Sequence, residues 1–172
     1  MPILQEGNLT FSFSNDWQAI KYDDSSFHTK YFQSFAGGSK AVDFIAFGNQ
    51  ELWLIEVKDY RLHARTKSTD LYLEIASKVR ATLAGLLAIT ATNNPSGDSE
   101  TKSIAQSIFK RSYQLRIALH LEQPIQHSKL FPQVIDPKTA RDKLRQQLRS
   151  VDPHALVGDK TFFNAQHRWG VT

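Results

Sequence analysis

Two short runs, AVDFIAF (41–47) and ELWLIEVK (51–58), constrain this chain more than any other feature. Both are β-prone and apolar at nearly every position, and a polar piece centred on Gly48 and Asn49 separates them, which is the pattern of an antiparallel hairpin. A strand with one wet face alternates apolar and polar side chains. These runs do not alternate, so the hairpin belongs at the centre of a sheet with both faces covered. The flanking sequence supplies candidates for the covering layers. From Thr69 to Ile89, Leu71, Ile75, Val79, Leu83 and Leu87 recur at four-residue steps, which predicts a long amphipathic helix. QLRIALHLE (114–122) alternates Leu115, Ile117, Leu119 and Leu121 with Arg116, Ala118, His120 and Glu122 and reads as a strand.

The remaining elements are shorter. LTFSFS (9–14) alternates as a strand, and WQAIKY (17–22) is a second short strand candidate. The segment 24–39 reads as either a helix or an aromatic strand ending in a glycine turn at Gly37 and Gly38. Asn, Pro, Gly and Ser cluster over 92–102, predicting a surface loop before a helix over 103–113. Asp136 followed by Pro137 makes a helix N-terminus, with Ala140, Leu144, Leu148 and Val151 as the apolar stripe of a basic helix ending at Pro153. No element is assigned after His154. With 172 residues and 41% hydrophobic content, the chain reads as a single α/β domain over 1–172 with a core of its own.

Composition removes several chemistries. The absence of Cys excludes disulfide scaffolds, thiolate zinc sites and cysteine nucleophiles. His28, His63, His120, His127, His154 and His167 show no paired ligand spacing, and His120 on an alternating strand suits a hydrogen bond better than a metal. Fingerprints of dinucleotide binding, ATP hydrolysis and the serine-hydrolase elbow are missing. No leader pattern opens the chain and its most apolar run, ATLAGLLAITA, is short for a membrane span, so a cytoplasmic protein without membrane partners is expected. Net charge is +4, unevenly spread. Residues 1–57 carry three Lys or Arg against seven Asp or Glu, and residues 58–172 carry eighteen against ten. An acidic front suits a cation, and a basic back suits a polyanion.

The hairpin also holds charges where packed strands rarely tolerate them. Asp43 interrupts VDFIAF, and Glu56 and Lys58 interrupt LIEVK. Side chains alternate across a strand, so Glu56 and Lys58 share a face with Leu52 and Leu54 while Val57 points the other way. A turn at GNQE sets Phe47 against Leu52 and therefore Asp43 against Glu56. Two carboxylates that close need a divalent cation or the Lys58 ammonium to compensate them, and oxygen ligands of this kind suit Mg²⁺ or Mn²⁺.

Asp43, a hairpin, then Glu56-Val57-Lys58 resembles the active-site signature of the PD-(D/E)XK nuclease superfamily, with VD in place of the family's PD. The resemblance is close over about twenty residues, and the order of elements extends it across 41–121. It implies a restriction-endonuclease-like core: a central mixed β-sheet with an antiparallel meander, flanked by helices. The family usually carries a helix with another acidic residue before its first core strand. Here no such helix with a Glu precedes Asp43, and Glu6, Asp23 and Asp24 are the candidates for a further ligand.

The resemblance further implies a Mg²⁺-dependent nuclease, an endonuclease acting on DNA. Asp43, Glu56 and Lys58 would be catalytic, and Asp43, Glu56 and the Val57 carbonyl would hold the metal. Lys58 would position water and stabilise charge. Arg61, Arg65 and Lys67, on the connector leaving the site, would contact phosphates. Lys78 and Arg80 read as a solvated helix face, as do the cations of the 137–153 helix. Trp17, Phe27, Tyr31, Phe32 and Trp53 read as packing residues before base-stacking ones. One active site addresses one strand, so cutting a duplex would call for a homodimer or a partner subunit. The alternative from another class is a non-catalytic module of the same fold that binds nucleic acid or protein.

Overall fold

The hairpin forms with the register expected of it. Strands β4 (Phe44–Gly48) and β5 (Glu51–Asp59) pair antiparallel with Phe47 opposite Leu52 and Gly48 opposite Glu51. Asn49 and Gln50 both adopt positive φ, 49° and 64°, the backbone of a two-residue turn whose twist matches the strands it joins. Gly48 lies beneath Trp17, where a Cβ would come within 2.8 Å of the indole. The computed structural model describes residues 1–63, 65–91, 99–124, 135–166 and 168–172.

Around the hairpin a five-stranded mixed sheet assembles in the order β3-β4-β5-β6-β7. β3 (Gln18–Lys21), the weaker sequence candidate, pairs antiparallel with β4 and completes a meander. β6 (Gln114–Glu122) runs parallel to β5 over its whole length, and β7 (Leu156–Gly158) runs parallel to β6. Between β5 and β6 the chain crosses over through α1 (Leu71–Ala91) and α2 (Ser99–Lys110). With α3 (Pro137–Leu148) these helices cover the face bearing Ile45, Phe47, Leu52, Leu54, Ile117 and Leu119. Phe44, Ala46, Trp53, Ile55 and Val57 face the other way. The alternation therefore divides β4 and β5 between two cores, which is why both runs are apolar throughout.

The second core is built by the strand expected within 9–14 together with segments the sequence left unassigned. β1 (Ile3–Glu6), β2 (Leu9–Ser12) and β8 (Gly170–Val171) form a three-stranded antiparallel sheet. It packs with α4 (Lys160–Ala165) through Phe11, Phe13, Phe163 and Trp169. The Phe163 and Trp169 rings stack at 4.9 Å. The tail after His154 is thus structured, closing the sheet face opposite the long helices.

Three helix expectations are corrected. Leu87 is 57% exposed; steps of four advance about 40° beyond a full turn each time, so Leu87 has left the face that Leu71 began. The buried line instead runs Leu71, Ile75, Val79, Thr82, Leu86, Ile89. The helix expected over 103–113 begins at Ser99 and ends at Lys110, so 99–102 are helical rather than loop. Thr101, Ile104, Ala105 and Ile108 give it a buried face at helical spacing; residues 92–98 lie outside the description. The basic helix ends at Leu148, not Pro153, although Asp136 caps it as expected by accepting from the Thr139 N–H at 2.8 Å. The ambiguous segment 24–39 becomes a π-helical turn, His28–Phe32, followed by a tight turn over Phe35–Gly37. No helix among the described residues is long and apolar enough to cross a membrane.

Candidate active site

β5 has nine residues and β4 has five, so the C-terminal end of β5 overhangs its antiparallel neighbour. Within the paired region Glu51, Trp53 and Ile55 turn their backbone groups toward β4, and by the same alternation Val57 does too, with no strand partner there. Asp43, the residue before β4, fills the gap. Its Oδ2 accepts the Val57 N–H at 2.6 Å. The Val57 carbonyl shares that edge by strand geometry.

Asp43 is itself held on both sides. Its backbone carbonyl accepts from Tyr22 N–H at 2.9 Å, and the Val42 N–H donates to the Thr82 hydroxyl of α1 at 3.1 Å. Thr82 is fully buried. The carboxylate is therefore fixed by β3, β5 and α1 together, a rigid setting for a functional group.

The three sequence-derived residues come together. Glu56 has no solvent exposure, and its Oε1 accepts from Lys58 Nζ at 2.5 Å. It also accepts from Lys78 Nζ at 2.6 Å, and that ammonium lies 3.5 Å from Asp43 Oδ1. Lys78, read as solvated, belongs to the cluster instead; Arg80 does lie on the exposed face. Glu74, not singled out from sequence, lies 3.9 Å from Lys58 and joins Arg65 at 3.1 Å and Lys67 at 2.6 Å. Glu74 and Lys78 each precede a residue of the buried α1 stripe and stand four apart. That placement on one flank of a core-facing helix is the signal that sequence reading could have used.

Electrostatics follow from burial. Burial and then the Glu56 charge push the Asp43 carboxyl up to about 6, against the pull of Lys78, the Val57 N–H and Lys58. Burial also works against the Lys58 ammonium, but Glu56, Asp43 and Glu74 outweigh it and hold the Lys58 pKa above the ordinary lysine value. Lys58 is therefore a cation at neutral pH. Burial opposes ionisation of Glu74, yet Lys67, Lys58 and Arg65 keep its carboxyl below the usual range.

Of the candidate additional acids, Glu6 and Asp23 approach Asp43, with one carboxylate oxygen from each within 4.8 Å of the others. Burial, then Asp43 and Asp24, push Asp23 up to about 7. Asp24 instead pairs with Lys21 at 2.9 Å. Glu6 ends β1, so the further carboxylates arrive from a strand and a turn rather than from a preceding helix. Glu56 Oε2 is buried without a hydrogen-bond partner among the described residues. A fully buried carboxylate with one oxygen left over stands beside Asp43, and Asp43 in turn meets Glu6 and Asp23, a run of oxygen donors that fits a divalent cation.

The connector residues are partly engaged. Arg61 makes a two-pronged contact with Asp59, at 2.9 and 2.6 Å. Arg65 donates to the carbonyls of Lys67 and Thr69 as well as to Glu74. Lys67 keeps a half-exposed side chain. His120 is hydrogen-bonded, to Glu122 at 2.9 Å, and His127 and His167 lie outside the described residues.

Over a 167-residue alignment the chain is 32% identical to a cysteine–tRNA ligase of Neisseria meningitidis, the match taking in 79% of this chain and 23% of that protein. The chain thus spans about a quarter of the length of the curated relative it matches. No family model matches the chain, and no solved structure matches it.

Proposed function

We propose that the chain is a PD-(D/E)XK-type nuclease domain with a restriction-endonuclease-like core, hydrolysing phosphodiester bonds internally in DNA with Mg²⁺ or Mn²⁺. One observation carries the reading: Asp43 seals the overhanging edge of β5 at Val57, between Glu56 and Lys58, while a buried oxygen of Glu56 is left without a partner. Structural carboxylates are usually fully satisfied, and a spare oxygen beside further acids suits a cation.

Asp43 and Glu56 would hold the metal, with the Val57 carbonyl on the same edge and Asp23 and Glu6 nearby. Bound there, the cation would neutralise developing charge on the scissile phosphate. Lys58 donates rather than accepts protons because it stays charged. It orients the attacking water and stabilises the pentacovalent phosphate, leaving proton abstraction to a carboxylate or solvent. Lys78 anchors Glu56 and Asp43 to α1, fixing their separation. Lys67 and the other cations of the connector attract the backbone electrostatically.

A second reading is a module that holds nucleic acid without cutting it. It is favoured by Lys58 and Lys78, whose two ammonium groups already balance Glu56 and Asp43 without a metal. The relative named above is a tRNA ligase, which makes tRNA the natural first ligand to try in that case. The deciding experiment incubates supercoiled plasmid, linear duplex, single strands and tRNA with Mg²⁺, Mn²⁺ or EDTA, beside Glu56→Ala and Lys58→Ala. Metal-dependent nicking that both variants lose supports the nuclease. Binding without cleavage, equal in all three proteins, supports the module.

A further inference from the structure

A cleft of about 640 Å³ lies between α1 and the segment Phe32–Lys40, within the size range of small-ligand sites. Lys78 is in its wall, and the same ammonium contacts Glu56 at 2.6 Å. Lys78 and Glu74, which line the cleft, thus also touch Glu56 and Lys58 of the candidate site. We infer that it seats an unpaired nucleotide of single-stranded DNA, its base against Phe35 and its neighbouring phosphates on Lys40 and Arg80. The choice of DNA rests on the nuclease reading above; the cleft's preference for an unpaired base does not.

Phe35 carries the base-binding part. Its ring stacks on Phe32 at 5.1 Å and 22°, and Phe32 stacks on Phe27 at 5.7 Å and 28°. The inner two rings are buried, but Phe35 is 57% exposed, so the stack ends in an open aromatic face at the cleft. Ala36, Gly37 and Gly38 follow with φ of 51°, 83° and 122°, a succession of left-handed residues that turns the chain sharply after Phe35 and sets the ring beside α1. Leu73 and Ala81 of α1 give the opposite wall an apolar surface. The base would lie between that ring and this wall. In a duplex each base face is covered by its neighbours, so only an unstacked base can meet such a ring.

Charge carries the rest. Lys40, Lys67, Lys78 and Arg80 line the cleft against a single acid, Glu74. Glu74 is engaged by Arg65 and Lys67. Lys40 and Arg80 are exposed and make no ion pair among the described residues. An aromatic floor with a cationic rim complements a polyanion that carries flat rings, and a purely apolar ligand would leave the cations unused.

The test is fluorescence anisotropy of the full chain in EDTA, where nothing is cut, with labelled single-stranded DNA, blunt duplex and RNA of one sequence. A companion strand carries 2-aminopurine. Single-stranded DNA should bind about tenfold tighter than duplex, and Phe35→Ala should weaken that binding about tenfold while Phe35→Trp retains it. The 2-aminopurine emission should be quenched by the wild type and recovered with Phe35→Ala. Lys40→Ala and Arg80→Ala should each lower the salt dependence by about one phosphate contact. Duplex or RNA binding as tight as single-stranded DNA, or quenching indifferent to Phe35, overturns the inference. Because binding is read without metal, Phe35-dependent stacking in a protein that never cleaves sinks the nuclease reading alone. Cleavage of duplex without Phe35 dependence sinks this inference alone.

Discussion

The Asp43 carboxyl, pushed up to about 6 from an ordinary 3.8 by burial and then by the charge of Glu56, makes stability depend on pH in a defined direction. A carboxyl whose pKa is raised in the folded state binds its proton more tightly there than in the unfolded chain. Its contribution is fully present below about pH 4 and is lost as pH rises through 6, a total of about 3 kcal/mol. Between pH 5 and pH 8 the loss amounts to about 1 kcal/mol. Asp43→Asn removes the titration. The Asn carbonyl still accepts from Val57 N–H, but its amide then faces Lys78, a cost that does not vary with pH. Urea unfolding of both proteins in EDTA at the two pH values isolates the titrating part. Wild type should gain about 1 kcal/mol over the variant on going from pH 8 to pH 5, a relative midpoint shift of about half a molar at a typical urea slope. Asp23, raised to about 7 partly by Asp43, is also relieved in the variant, so it changes the difference in the same direction. Parallel pH profiles would refute the claim that Asp43 is buried against Glu56. A cation on the site favours the ionised carboxylates, so Mg²⁺ at a hundredfold excess over its dissociation constant should stabilise wild type by about 2.7 kcal/mol and flatten its pH profile.

Two further perturbations probe the frame around the site. Lys78→Met removes one of the two ammonium groups on Glu56 and should cost about 3 kcal/mol in urea unfolding at pH 8, less at pH 5, where Asp43 takes up a proton; equal losses at the two pH values would count against the Lys78–Asp43 contact. Thr82→Val keeps the shape but leaves the buried Val42 N–H without its acceptor. It should cost about 1–3 kcal/mol, and hydrogen exchange at Val42 should accelerate, whereas unchanged exchange would mean that Thr82 does not position the approach to Asp43.

What could be read in the sequence and what could not follows a physical division. The hairpin was legible because its cause is local: two residues of positive φ at Asn49 and Gln50 set the register, and strand alternation then carries Asp43 to Glu56 without reference to the rest of the chain. The stripe of α1 was legible only in part, since repeated four-residue steps drift around a helix and Leu87 drifts off the core. Of the second sheet only β2 was legible, from the alternation of Leu9, Phe11 and Phe13; its partners were not. β8 has two residues, β1 shows exposed and half-buried positions in alternation, and β8 finds its partner β2 across almost the whole chain. Such strands owe their existence to the core that Phe11, Phe163 and Trp169 share beneath them, and no window of sequence contains that information.

The same division runs through the site. Asp43, Glu56 and Lys58 announce themselves because charges interrupt an apolar run. Lys78 and Glu74 sit on a helix otherwise amphipathic, where a charge is ordinary until the sheet beneath it is known to carry opposite charge. Glu56 and Asp43 decide the matter: they are two buried carboxylates facing α1, Lys58 pairs with Glu56, and a helix packed on that face that brings a second cation balances the other charge. Once both carboxylates are placed on the helix-facing side, a lysine in the middle of α1 has charge to meet, and Lys78 stands on the flank of the stripe that meets β5. The pairing is thus a consequence of strand alternation and helix period combined. Neither pattern alone contains it.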